Sequence, residues 1–284
     1  IRRELQIPVK TSSDTEIVLK TLISDGIDAV ETFNGMFAIA FYDTQGKKLL
    51  LIRDRMGVKP LYYFWDGTNF AFASEIKALL QFPLIKKNKS INYTSLNKFL
   101  HIGYTGIEGT IYTNIYKVPA GSYIEVSENG INIQTYWSTY NCTQSETIDD
   151  FYSAKEILRD LVEQSVRYRL KSDVPYGTFL SGGIDSSLVT AVAQKNLSTR
   201  LNTFTIAFAD NKYDESQYAR QVAEYLGTNH TEMTVTQKDA LNLIPSILDT
   251  FDEPFADSSA IPTMLVSKLA KTQATMILSG DGGD

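Results

Sequence analysis

The stretch that most constrains this chain is TFLSGGIDSSLV, residues 178–189. An apolar run stops in Ser-Gly-Gly, an Asp and two Ser follow, and a second apolar run begins. The pattern reads as a strand, a tight glycine loop and a helix expected from Ser187. The residues downstream repeat the alternation. NTFTIAF reads as a strand, and DESQYARQVAEYLG as a helix closed by Gly227. Strand HTEMTV, helices QKDALNLIPSILDTF and PTMLVSKLAKT, and strand TMILSG complete the series, and a helix over about 151–170 precedes it. Strands alternating with helices predict a doubly wound parallel sheet, a three-layer α/β domain.

The first half has a different rhythm. SSDTEIVLKTLISDG reads as a helix capped by Ser12 or Ser13, with Ile17, Val18, Leu22 and Ile23 as its apolar face. Three hairpins follow. GMFAIAFYDTQGKKLLLIRD turns over Asp43–Gly46, with Gly46 expected at positive φ. PLYYFWDGTNFAFAS turns at Asp66-Gly67, and GSYIEVSENGINIQTYW at Asn129-Gly130. The unbroken run MFAIAF predicts burial on both faces, as in stacked sheets. Short helices are expected at SEIKALLQ and near 92–101. Residues 138–150, STYNCTQSETIDD, are polar and read as a linker. The expected division is therefore an α+β domain over 1–137, a linker over 138–150 and an α/β domain over 151–284.

The 284 residues suit two domains, and the net charge of −6 argues against a nucleic-acid partner held on a basic surface. No apolar run is long enough to span a bilayer and no leader pattern is present, so the cytoplasm is the expected compartment. Cys142 is the single cysteine, which excludes an internal disulfide and a CxxC site. His101 and His230 are too few for a histidine-based metal centre. The chain opens at Ile1 inside an apparent helix end and stops at SGDGGD inside a glycine-rich loop. It is expected to be an internal piece of a longer protein.

Ligands of parallel sheets bind beyond the carboxyl ends of the strands. Ser181, Gly182 and Gly183 let successive N–H groups turn inward, the following helix adds its positive end, and Ser186 and Ser187 add hydroxyls. The loop lacks the Lys of GxxxxGK[ST] and is not GxGxxG. Asp185, an acid in an anion-binding loop, implies an intervening cation such as Mg²⁺. Two readings stay open on the residues alone: a polyphosphate cradle, or a Gly-Gly turn capped by serine with no ligand.

SGGIDSS matches the SGGxDS signature of the PP-loop ATP pyrophosphatase family, whose members cleave ATP between its α- and β-phosphates. A longer series then resembles the glutamine-hydrolysing asparagine synthetase family: SSDTEIVL, FNGMFAIAFYD, RDRMGVKPLYY, FASEIKALL, VPAGSYIEV, FLSGGIDSSLV, FTIAF, DESQYARQVAEYLGTNH, DEPFADSSAIPT and LSGDGGD. The resemblance implies a truncated Ntn-hydrolase αββα sandwich with glutaminase activity, followed by a PP-loop domain. The family's nucleophilic Cys, its upstream Arg and its Asn-Gly-Glu segment do not occur here. This piece by itself is therefore expected not to hydrolyse glutamine and to form little asparagine.

The same resemblance implies roles residue by residue. Asp14 would hold the α-ammonium of glutamine; read alone, it is a helix N-terminal Asp favoured by the macrodipole. RDRMGVKPLYY is assigned to packing and domain contact. Ser181, Gly182, Gly183, Asp185 and Ser186 would bind pyrophosphate, with Asp185 on magnesium. Leu180, Ser279 and Gly280 would give backbone contacts to ATP. Ile206 would lie against adenine; read alone, it is core. Asp281 and Asp284, with Asp185, would act near the reacting centre. Residues 252–263 would lie beside the acceptor pocket. ATP and Mg²⁺ are the implied cofactors, aspartate and glutamine the implied substrates, and a homodimer is compatible with the family. The rivals are an amidotransferase for another carboxylate, of the surface-sugar, β-lactam-forming or peptide-cyclising kind, and a non-catalytic paralogue.

Overall fold

The computed structural model describes residues 9–11, 13–142, 147–208 and 214–282. The chain divides into two compact units. One is Ile1–Ser145 with Phe251–Ala256, and the other is Glu146–Thr250 with Asp257–Asp284.

In the first unit, α1 (Asp14–Asp25) starts where the Ser13 hydroxyl accepts the Thr15 N–H, and a 3₁₀ turn (Gly26–Thr32) continues it. Leu22, Ala29, Val30 and Phe33 pack against Ile52. Ile23 is 68% exposed, contrary to the expected apolar face. The 3₁₀ turn supplies the contacts that a longer helical stripe would have made. β1 (Ala38–Asp43) and β2 (Lys48–Arg53) form the first hairpin, from Ala38 opposite Arg53 to Asp43 opposite Lys48. The positive φ of its turn falls on Lys47, at 50°, and not on Gly46. Gly46 serves to make room, because a Cβ there would lie 2.6 Å from the Asp43 carboxylate.

β3 (Tyr62–Trp65) pairs with β4 (Phe70–Ala73) on one side and β5 (Ile115–Lys117) on the other. β5 has no counterpart in the sequence reading: three residues are too few to show a period. β6 (Ser122–Ser127) and β7 (Gly130–Thr135) complete a sheet of order β1-β2-β6-β7, beside a second of order β4-β3-β5. Ile52 points to α1, whereas Leu51 and Ile124 meet Leu61, Tyr63 and Val118 between the sheets. Phe64 and Ile115 cover the far face against α2 (Ile76–Leu79) and α3 (Pro83–Asn88). The layers thus run helix, sheet, sheet, helix. β1 lies at a sheet edge and does not show the expected burial on both faces; β2, with Leu51 and Ile52 fully buried, is the enclosed strand. α4 (Tyr93–Ile102) is capped by Asn92, and α5 (Thr139–Cys142) lies within the stretch read as linker.

RDRMGVKP is a structural knot. Buried Asp54 accepts the N–H groups of Phe37, Val58 and Lys59 at 3.2, 2.9 and 2.9 Å. The Arg53 guanidinium donates to the carbonyls of Lys59, Gly57 and Val118, and burial lowers its pKa from the usual value. Arg55 donates to the carbonyls of Phe33 and Glu31.

In the second unit, α6 (Phe151–Arg169) is capped by Asp150, which accepts the Ser153 N–H. There follow β8 (Tyr176–Phe179), α7 (Ile184–Lys195), β9 (Asn202–Phe208), α8 (Ser216–Leu226), β10 (Asn229–Val235), α9 (Gln237–Thr250), α10 (Ala260–Ala270) and β11 (Met276–Leu278). All pairings in this sheet are parallel, in the order β10-β9-β8-β11. Val166 of α6 and Ala193 of α7 pack with Tyr176, Met276 and Leu278 on one face. Val266 and Ala270 of α10 pack with Phe179, Phe204, Ile206 and Ile277 on the other. The helices therefore cover both faces of the parallel sheet.

Candidate functional site

From β8 the chain steps outward to β9 and β10, then returns to place β11 on the other side of β8. The order reverses between β8 and β11, and in sheets of this kind such a reversal leaves a crevice at the carboxyl ends of the strands. The loops leaving these strands are Leu180–Gly183 and Ser279–Gly282.

Leu180 is buried and donates its N–H to the Phe204 carbonyl, which fixes the start of the first loop. Gly182 has φ +84°, and a Cβ there would lie 2.6 Å from the Ala219 N and the Tyr218 Cβ. The loop is thus pressed against the first turn of α8 where only glycine fits. α7 begins at Ile184, three residues before the expected Ser187, so Asp185 and Ser186 belong to its first turn. Gly183 caps it without a side chain, and the first-turn N–H groups have no intrahelical acceptor. The positive end of α7 is therefore directed into the crevice.

The two serine hydroxyls stitch this loop. The Ser181 and Ser186 oxygens lie 2.9 Å apart. Ser181 Oγ accepts the Gly183 N–H, while Ser186 Oγ accepts the Ser181 N–H and lies 3.3 Å from the Gly183 carbonyl. The Ser187 hydroxyl is buried and has no partner among the described residues. The side chain of Asp185 is exposed at the rim. A Cβ on Gly280 would fall 2.8 Å from the Ser186 N and 2.9 Å from the Asp185 Cβ, so the second loop lies directly on the first turn of α7. Ser279 Oγ donates to Asp281 at 2.7 Å.

The structure thus brings Leu180, Ser181, Gly182, Gly183, Asp185, Ser186, Ser279, Gly280 and Asp281 to one end of the sheet. Ile206 is on β9, two strands from β11, half-buried against α10. Asp284 lies outside the described residues. Tyr218 and Ala219 wall the loop on the α8 side, and nothing in DESQYAR announced them. Nearby, Asp214 ties the Phe208 N–H at the end of β9 to the Ser216 N–H and hydroxyl at the start of α8.

Asp14 belongs to the first unit. It is the exposed first residue of α1 and lines a cleft of about 560 Å³ with Val18, Phe33, Phe37 and Ile39. Glu16, in the same first turn, accepts from the Lys10 N–H (2.9 Å) and from the Thr11 N–H and hydroxyl (both 2.6 Å), and pairs with Lys20. These donors, the Lys10 N–H foremost, lower its pKa to about 2. The carboxylate holds the segment before Asp14 in place. His101 Nδ1 lies 2.8 Å from the Asn97 carbonyl, and His230 Nδ1 lies 2.9 Å from Thr203 Oγ1. No group of three or more His, Cys, Asp or Glu among the described residues could hold a metal ion. No helix among them is long and apolar enough to cross a membrane.

Residues 1–137 match the family model described as a glutamine amidotransferase domain, and residues 157–284 that described as asparagine synthase. A putative glutamine-hydrolysing asparagine synthetase 2 of Methanocaldococcus jannaschii is 35% identical over 290 residues, covering 100% of this chain and 55% of that protein. Glutamine-hydrolysing asparagine synthetase 1 of Bacillus subtilis is 34% identical over 288 residues, with coverages of 100% and 44%. Asparagine synthetase 3 of the same organism is 32% identical over 302 residues, with coverages of 100% and 48%. The chain spans about half the length of these curated relatives. With a glutamine amidotransferase segment followed by an asparagine synthase segment, and with relatives matched along its whole length, the chain belongs to the glutamine-hydrolysing asparagine synthetase family.

Proposed function

We propose that the protein of which this chain is part activates the side-chain carboxylate of aspartate with ATP and converts it to asparagine with ammonia drawn from glutamine. One observation carries this reading: the bare α7 N-terminus, the 181–186 loop and the 279–281 turn converge where the strand order reverses. On this reading the first unit is the Ntn-hydrolase type of sandwich and the second is a PP-loop domain, with working borders at 1–137, 138–150 and 151–284.

The β-carboxylate of aspartate attacks the α-phosphorus of ATP, and pyrophosphate leaves. The N–H groups at the start of α7 and the Ser181 and Ser186 hydroxyls receive the leaving group, where preorganised donors stabilise the developing charge. Leu180, Ser279 and Gly280 give backbone contacts to the nucleotide, and Ile206 packs on the adenine. The donors at hand are oxygens, and Asp185 is exposed beside the anion cradle. This suits magnesium, which is held by one or two carboxylates together with substrate phosphates. When bound, the ion neutralises charge on the departing pyrophosphate. Asp281 and Asp284 serve the acyl-adenylate and its acceptor site. The free carboxylate is a poor acyl donor; the adenylate is a good one, and ammonia displaces AMP from it. Asp14 holds the ammonium of glutamine, with its backbone set by Glu16.

The test supplies the protein with ATP, magnesium, aspartate and ammonium. Equal amounts of AMP, pyrophosphate and asparagine are expected. ADP and orthophosphate would overturn the pyrophosphate-loop reading. AMP formed with another carboxylate and not with aspartate would reassign the acceptor.

A further inference from the structure

Residues 251–256 lie between α9 and α10 in sequence, yet they belong to the first unit. Both carboxylates of this hexapeptide are engaged there. Glu253 Oε2 lies 2.9 Å from Lys117 Nζ. Glu253 Oε1 accepts from Thr105 Oγ1 at 2.9 Å and from the Ile111 N–H at 2.8 Å. Lys117 Nζ also donates to Thr105 Oγ1 (3.1 Å) and to the Gly106 carbonyl (3.0 Å). The two charged side chains are only 19% and 12% exposed. Asp252, 10% exposed, accepts the Ile76 N–H at the start of α2 and lies 3.4 Å from Lys77. The Ala256 N–H donates to the Gly103 carbonyl, and the rings of Phe251 and Phe255 lie 5.1 Å apart.

Such anchoring exceeds what a connector needs. A mostly buried ammonium and carboxylate, each with further hydrogen bonds, form a pair in which removing one partner strands the other. The chain then passes directly into α10. Asp257 accepts the Ser259 N–H and hydroxyl at 2.8 and 2.7 Å, just ahead of Ala260. Val266 and Ala270 of α10 pack on Phe204, in the cluster that Ile206 joins.

We propose that residues 251–256 are a strap, with Glu253 as its positioning residue. The first unit grips the chain immediately before α10, and the grip maintains the packing of α10 against β9. Occupation of the nucleotide crevice is then linked, through Ile206 and α10, to the loop from Thr105 to Ile111. This last step rests on the nucleotide reading; the grip on α10 does not.

Amide hydrogen exchange on the chain tests both parts. Without ligand, Glu253→Gln is expected to speed exchange about tenfold or more over 105–111 and also over 260–270, because it leaves Lys117 without its counter-charge. Faster exchange over 105–111 alone would overturn the strap. Lys117→Arg keeps the charge and is expected to leave 260–270 at the unmodified rate; equal acceleration there would overturn the role of the ion pair. Thr105→Val, which removes the hydroxyl's hydrogen bonds to Glu253 and Lys117 and keeps the charge pair, is read in the same way should Glu253→Gln not fold. MgATP is then added to the unmodified chain. Protection gained over 181–187 and 105–111 supports the link, and protection over 181–187 alone overturns it. No protection over 181–187 overturns the nucleotide site, while the ligand-free result still decides the strap.

Discussion

A single methyl group measures how closely the crevice is built. A Cβ on Gly280 would collide with the backbone of α7's first turn at 2.8 Å, and no flexible side-chain end is there to yield. Gly280→Ala is therefore expected to push the two loops apart and to weaken MgATP binding about tenfold or more by calorimetry, through a displacement of backbone donors by some tenths of an ångström. Asp185→Asn keeps the shape and removes the charge. It is expected to abolish most of the difference between ATP affinity with and without magnesium; an unchanged difference would count against the carboxylate as a magnesium ligand. At this scale the sequence was informative where the backbone demands rare residue types. Ser-Gly-Gly before an Asp announced a tight glycine turn between a strand and a helix, and β8, Gly182 at positive φ and α7 form one. Tyr218 and Ala219 could not be anticipated, because they contribute only backbone and Cβ atoms, which every residue possesses.

Elements are positioned by small polar devices as well as by apolar faces. The Thr178 and Thr190 hydroxyls, both fully buried, bond at 2.9 Å between β8 and α7 and so fix the helix that carries the glycine loop. Thr178→Val should cost about 1–3 kcal/mol in urea unfolding, because it orphans the Thr190 hydroxyl, and adding Thr190→Val should restore much of the loss. Asp150→Ala removes the cap of α6 and should cost about 1 kcal/mol in the same measurement. Most helices and hairpins were legible because their apolar periods persist over two turns or more. β5 was not, at three residues, and neither was the true start of α7, since Asp185 and Ser186 look like loop residues until Gly183 is seen to cap them. Ile23 misled because periodicity cannot show that a 3₁₀ turn will take over the helix's share of the core.

For the molecule as a whole, two groups of ionisable residues set the response to acid. His230 is half-buried, its Nε2 has no partner among the described residues, and burial lowers its pKa below the usual 6.5. A folded value below the unfolded one means that its contribution is complete above about pH 6.5 and is lost as pH falls through the folded value. The carboxylates behave alike at lower pH. Asp66 is lowered foremost by the Asn69 N–H, and Asp150, Asp239 and Asp257 by the hydroxyls of Ser153, Thr236 and Ser259; Glu16 lies at about 2. Their contribution is lost below about pH 4, the ordinary range of free carboxylates. The urea midpoint is thus expected to fall in two stages, and His230→Gln should remove the first and keep the second. The change of rhythm near residue 138 was visible in the sequence. The return of 251–256 to the first unit was not, because Asp-Glu-Pro-Phe resembles any polar connector until Lys117, more than a hundred residues earlier, is found waiting for it. That return has a consequence for biosynthesis. A ribosome reading this chain completes β5, with Lys117 in it, long before it adds Glu253, so the amino-terminal half emerges holding an ammonium whose counterpart has not yet been translated. The first unit cannot be consolidated until translation has passed α9, so it matures together with the segment from α6 to α9 instead of before it.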